Sequence, residues 1–190
     1  MNPLYILIYL SAFIWAAVPF RQYGKRYFYY FYFSIIVDYL TIFIRLIFHS
    51  RSNFFLISCS ILALIFVQEY SFIKKHKLIL SFILLLISIV YFILNLNEYL
   101  ILFGFIHALI VFTLIKDFVK IFISAKTINL FMAIMILDES ITIFKYLGVI
   151  SGSSNNYFYF YASAAFEILI AFFFWIKEDN PRLQVKIKSS

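Results

Sequence analysis

Charge is what this chain lacks most. Only 13% of its residues are charged while 65% are hydrophobic, whereas a soluble domain is about a quarter charged and about half apolar. Polar surface this scarce does not cover a water-facing globule, so most of the chain is expected to face lipid. Glycine and proline are rare, four and three residues in 190, which excludes linkers and low-complexity segments. Cys59 is the only cysteine, which excludes an intrachain disulfide and a cysteine-pair metal site. Within its apolar run it reads as a small buried hydrophobe.

The usual catalytic signatures are missing as well. There is no P-loop, GxGxxG, HExxH or GxSxG, so nucleotide and hydrolase chemistry lose their usual routes, and no enzyme and no cofactor is expected. His49, His76 and His107 fall at different expected depths and do not meet around one metal. The last apolar segment holds Glu167 where a retinal protein would need a lysine, which excludes that light-driven chemistry.

What remains is long apolar runs. Mean hydropathy is +0.97, and a bilayer-spanning helix needs about 20 mostly apolar residues. The runs predict an all-α, polytopic membrane bundle with seven spans near 3–20, 27–48, 53–73, 78–95, 98–115, 128–149 and 156–176. Continuous runs without alternation disfavour strands. The domain is read as 1–176, followed by a short basic tail, 177–190. No basic region precedes Leu4, so span one is read as uncleaved.

The net charge of +7 is confined to short clusters between runs, which points to membrane topology and not to nucleic acid. Arg21, Lys25 and Arg26 fall on one side, with Lys74, Lys75 and Lys77, then Lys116, Lys120 and Lys126, then Lys177, Arg182, Lys186 and Lys188. The other side has only Arg51. Lys and Arg favour the cytoplasmic face, which puts the N-terminus outside and the tail inside a multi-pass protein of a cell membrane, the cytoplasmic one in a bacterium. KDFVKIFISAK (116–126) reads as a helical extension at the inner surface, in reach of anionic lipid.

Two segments resemble each other. VDYLTIFIRL (37–46) and LDESITIFKY (137–146) each place an aspartate in an apolar run with a base seven residues on: Asp38 with Arg45, Asp138 with Lys145. Seven residues return a helix to the same face about 10.5 Å along its axis. With matching flanks, this predicts a 3+1+3 parallel repeat of units 3–77 and 98–177 joined by a linker helix, 78–95, that carries no charge.

An ionisable group costs about 2.5–3.5 kcal/mol at the centre of a membrane helix, so those at mid-depth need an explanation. Asp38, His107, Asp138, Glu139 and Glu167 are expected there, with Arg45 and Lys145 nearer the outside. Together these seven are the candidate ligand- or ion-binding residues. They suit a secondary transporter or ion- or proton-coupled permease for a small solute or ion, since clustered carboxylates in low dielectric take up protons. The alternative is a ligand-sensing or accessory module that signals to a separate cytoplasmic partner, or a homo-oligomer. The bland explanation is structural: Asp38 bridges helices while Thr41, Ser140 and Thr142 add hydrogen bonds. His107 alone is most simply a satisfied core histidine. Tyr157, Tyr159 and Tyr161 read as an outer aromatic belt, and YFYYFYF (27–33) as an inner one.

Overall fold

A computed structural model describes residues 3–48, 53–68, 70–91, 96–151, 156–179 and 183–186, with the side chains of most of them. These residues are overwhelmingly helical. In chain order the elements are α1 (Pro3–Trp15), α2 (Val18–Arg21), α3 (Phe28–Phe48), α4 (Asn53–Val67), α5 (Tyr70–Tyr91), α6 (Leu96–Ala125), β1 (Thr127–Asn129), α7 (Leu130–Ser151), α8 (Asn156–Ile176) and β2 (Gln184–Lys186).

Six helices form a ring. α1 packs on α8, α8 on α7, α7 on α6, α6 on α4, α4 on α3, and α3 on α1. Among the described residues α5 has one substantial neighbour, α4, and so stands outside the ring. Its first turns carry Lys74, Lys75 and Lys77, and a non-helical ψ of 18° at His76 kinks it there.

Local chemistry explains the breaks. Pro19 has no N–H to continue the ladder of α1, so the chain restarts as α2 with proline in its first turn. Gln22 to Lys25 form a turn closed by a 3.0 Å backbone bond. Gly24 supplies the positive φ (73°) that its third position requires. Lys126, at φ 50°, ends α6 in the left-handed conformation of a helix C-cap. The Asn129 side chain accepts from the Met132 amide at 3.2 Å and caps the start of α7.

The basic connections meet at one end of the ring. Arg26 binds Asp117, and Lys25 binds Glu178 at 2.8 Å. The Gln22 side-chain amide donates to the carbonyls of Phe174 and Lys177, both at 2.8 Å, satisfying acceptors left over at the end of α8. β1 and β2 pair antiparallel, with Ile128 opposite Val185, and fasten the tail to the link between α6 and α7. Beneath them lies an aromatic core. Phe31 and Phe174 have ring centroids 4.9 Å apart, Phe131 and Phe174 5.0 Å, and Tyr27 stacks on Phe131. All four are fully buried.

Seven of the helices follow the seven expected runs, but the crossing signal itself is narrower. Among the described residues only Glu98–Ala125 is long and apolar enough to cross a bilayer. α1 and α4, at 13 and 15 residues, fall short of the roughly 20 needed, and Asp138, Glu139 and Lys145 dilute α7. One boundary also differs from expectation. Span three stops at Val67, so the 74–77 lysines sit inside α5 and not in a loop. The helical extension expected over KDFVKIFISAK is continuous with span five, which runs as one helix to Ala125.

Candidate functional site

A cavity of about 320 Å³ occupies the middle of the ring, and all six ring helices line it. α1 contributes Ser11 and Trp15, α3 Tyr30 and Ser34, α4 Ser60, and α6 Phe103 and His107. From α7 come Asp138, Glu139, Thr142, Lys145 and Tyr146, and from α8 Glu167. Five of the expected site residues, His107, Asp138, Glu139, Lys145 and Glu167, are thus brought to one chamber. Asp38 and Arg45 belong to α3, but their side chains lie outside the described residues, as do Glu69, Tyr157 and Tyr159.

Glu139 is the centre of the polar network. It is buried, and each carboxylate oxygen has a partner from a different helix. The Tyr30 hydroxyl donates to Oε1, and His107 Nδ1 lies 2.5 Å from Oε2. Facing a carboxylate, neutral His107 carries its proton on Nδ1 and leaves Nε2 as an acceptor. Nε2 is itself buried and has no hydrogen-bond partner among the described residues. The imidazole packs against Phe103, whose ring also meets Tyr146. Among the described residues His107 is thus partnered at Nδ1 through Glu139.

A second pair lies further along. Lys145 Nζ donates to Glu167 Oε1 at 3.0 Å, joining α7 to α8. Lys145 follows Glu139 by six residues, about 9 Å along the helix, on the side away from the basic end. Trp15 lines the cavity on the other side and contacts Phe31 and Phe174, so the aromatic core floors the chamber toward the basic end. Among the described residues three carboxylates, one lysine and one histidine face this space, so carboxylates outnumber the lysine.

The Ser140 and Thr142 hydroxyls bond back within α7. Ser140 donates to the Ile136 carbonyl at 2.7 Å and Thr142 to that of Asp138 at 3.2 Å. Ser34 and Ser60 likewise bond back within their own helices. The sequence reading missed Tyr30, which it placed in the inner aromatic belt. Tyr29 and Tyr32 are exposed there, while Tyr27, Tyr30 and Phe31 turn inward. The i, i+4 pair of Tyr30 and Ser34, polar atoms on one face of an aromatic helix, was the available signal.

Compared with protein families, curated proteins and solved structures, the chain matches none of them.

Proposed function

We propose that this chain is a multi-pass membrane protein, a small secondary transporter coupled to a proton or another small cation. The ring's outer faces support the lipid setting: Phe13, Phe43, Phe82, Phe105, Phe144 and Leu169 are exposed, and such surface is stable when acyl chains cover it. Lysines and arginines gathered at one end support an inward-facing tail and an outward N-terminus by the positive-inside rule. The ring order, α1, α3 and α4 followed by α6, α7 and α8 with α5 excluded, supports two triplets around a linker helix.

One observation carries the transport reading: a central cavity of about 320 Å³ with an excess of carboxylates. A positively charged or protonated species suits that excess. Asp138, Glu139 and Glu167 line the space it would occupy, and Glu139 holds the His107 imidazole in place. Alternating access would then break one closure while the other holds. The aromatic core closes the inner side and the Lys145–Glu167 pair the outer. In proteoliposomes with a trapped pH-sensitive dye and a clamped membrane potential, an imposed pH gradient should dissipate through the wild type. Asp138→Asn with Glu139→Gln should slow it at least about tenfold. Unchanged flux in that variant would overturn the mechanism.

A second reading has one observation in its favour. The β1–β2 pairing fastens the tail to the foot of α7, the helix that carries Asp138 and Glu139. A ligand-driven movement of α7 would be felt at the tail, as a sensor signalling to a cytoplasmic partner requires. A stoichiometric protein co-purifying in mild detergent, and lost on truncation before Leu183, would favour this reading over transport.

A further inference from the structure

The helix outside the ring creates a second recess. Because α5 leans on α4 and not substantially on α6, a groove of about 340 Å³ opens between α4, α5 and α6. Its wall is apolar: Ile61 and Ile65 from α4, Leu80 from α5, and Leu102, Ile106 and Leu109 from α6. Its few polar groups are already satisfied, since Gln68 donates to Thr113 at 3.0 Å and Thr113 to the Leu109 carbonyl at 2.9 Å.

The groove does not end blindly. Gln68 and Phe72 also line a polar pocket of about 300 Å³, whose other walls are Lys75, His76, Lys116, Asp117 and Lys120. Arg26 engages the Asp117 carboxylate from the ring side, so among the described residues lysines outnumber carboxylates in this pocket. Leu102, Ile106, Leu109, Thr113, Lys116 and Lys120 follow each other at helical spacing along one stripe of α6. That stripe is apolar for its first part and basic for its last. From Leu102 to Thr113 is eleven residues, about 16 Å at the helical rise, close to half of the roughly 30 Å hydrocarbon core.

We propose that this composite recess is a binding site for a single anionic phospholipid of the inner leaflet. Its acyl chain lies in the groove and its phosphate headgroup meets Lys75, Lys116 and Lys120. The apolar length matches one leaflet and the charge falls where the headgroup would lie. A zwitterionic lipid fits the groove equally but gains less from the lysines. The site rests on the membrane setting proposed above and not on transport.

The test is native mass spectrometry of the detergent-purified protein. It is equilibrated with equal amounts of dioleoyl phosphatidylglycerol and dioleoyl phosphatidylcholine, which share acyl chains and differ in headgroup charge. The wild type should retain phosphatidylglycerol at least about tenfold over phosphatidylcholine. Lys75→Gln, Lys116→Gln and Lys120→Gln together should bring the ratio to that of the mixture. Leu109→Trp, which fills the groove and leaves the lysines intact, should lower retention of both lipids. Glycerol phosphate in excess should displace little. An unbiased ratio in the wild type overturns the site without needing any variant. Displacement by glycerol phosphate as effective as by the lipid makes it a site for soluble phosphates and overturns the acyl half. A protein that purifies without detergent would instead sink the membrane setting, whereas one that needs detergent yet shows no lipid preference sinks only this site.

Discussion

Glu139 in the middle of the ring and Glu178 at its basic end are satisfied by different means. Glu139 sits in the interior between a phenol and an imidazole, each reaching one of its carboxylate oxygens. Glu178 sits at the surface between Lys25, at 2.8 Å, and Arg21, at 3.7 Å. An interior group left without its partner costs about 1–3 kcal/mol, whereas an exposed ion pair is screened and adds little. The middle is thus held by a few contacts that each matter. The end is held by many that replace one another: the Gln22 bonds, the Arg26–Asp117 pair, and the two strands.

That difference orders the expected effects of mutation. Glu139→Ala strands the Tyr30 hydroxyl and the His107 Nδ1–H together, and should cost about 3 kcal/mol or more. The loss would appear as a drop in Tm followed by tryptophan fluorescence in detergent. Tyr30→Phe removes one donor and leaves Glu139 with His107, so about 1–2 kcal/mol is expected in the same assay. If it costs as much as Glu139→Ala, the two carboxylate oxygens do not act separately.

The smaller effects contrast two neighbours at the basic end. Burial pushes the Asp179 carboxyl up, against the pull of Arg26, a hydrogen bond from Asn129, and Lys25. The native state therefore keeps this proton to higher pH than the unfolded chain, and stability falls as pH rises above the ordinary aspartate value of about 3.9. Asp179→Asn should flatten that decline and raise Tm slightly at neutral pH. Glu178 has the opposite sign. The hydrogen bond and charge of Lys25, with Arg21 helping, hold its carboxyl below the usual glutamate range. Its contribution is present above the ordinary value of about 4.3 and is lost as pH falls through the lowered one. Glu178→Gln should leave Tm at pH 7 nearly unchanged and soften only the acid limb. Equal responses to the two substitutions across a pH series would erase the contrast.

How much of this was legible beforehand depended on periodicity. Long apolar runs gave helix positions to within a few residues at α3, α7 and α8, because continuous hydrophobic sequence leaves the backbone little alternative. Charges in those runs drew attention to Asp138 and Glu139, and the chamber collects both. Nothing in their type ranked the two. The repeat favoured Asp138 for its spacing to Lys145, yet Glu139 holds the two cross-helix bonds, because adjacent helical residues point about 100° apart and their partners come from distant helices. Tyr30 was hidden for the same reason: an aromatic run looks alike on its inward and outward faces. The β1–β2 pair was illegible, since three-residue strands carry no period. The lysines of 74–77 looked like a loop because charge between apolar runs usually marks one, and only the packing of α5 on α4 keeps them helical.

The ring also has a seam. It shuts where the first helix meets the last, and Gln22 reaches across it to the Phe174 carbonyl, 152 positions away in the chain. In a polypeptide emerging N-terminus first, Tyr30, His107 and Glu139 are all made before α8 exists to wall the chamber and bring Glu167 to Lys145. Contacts this distant in sequence form slowly. Until α8 is made, one of the chamber's six walls is missing and its acidic residues lack that cover.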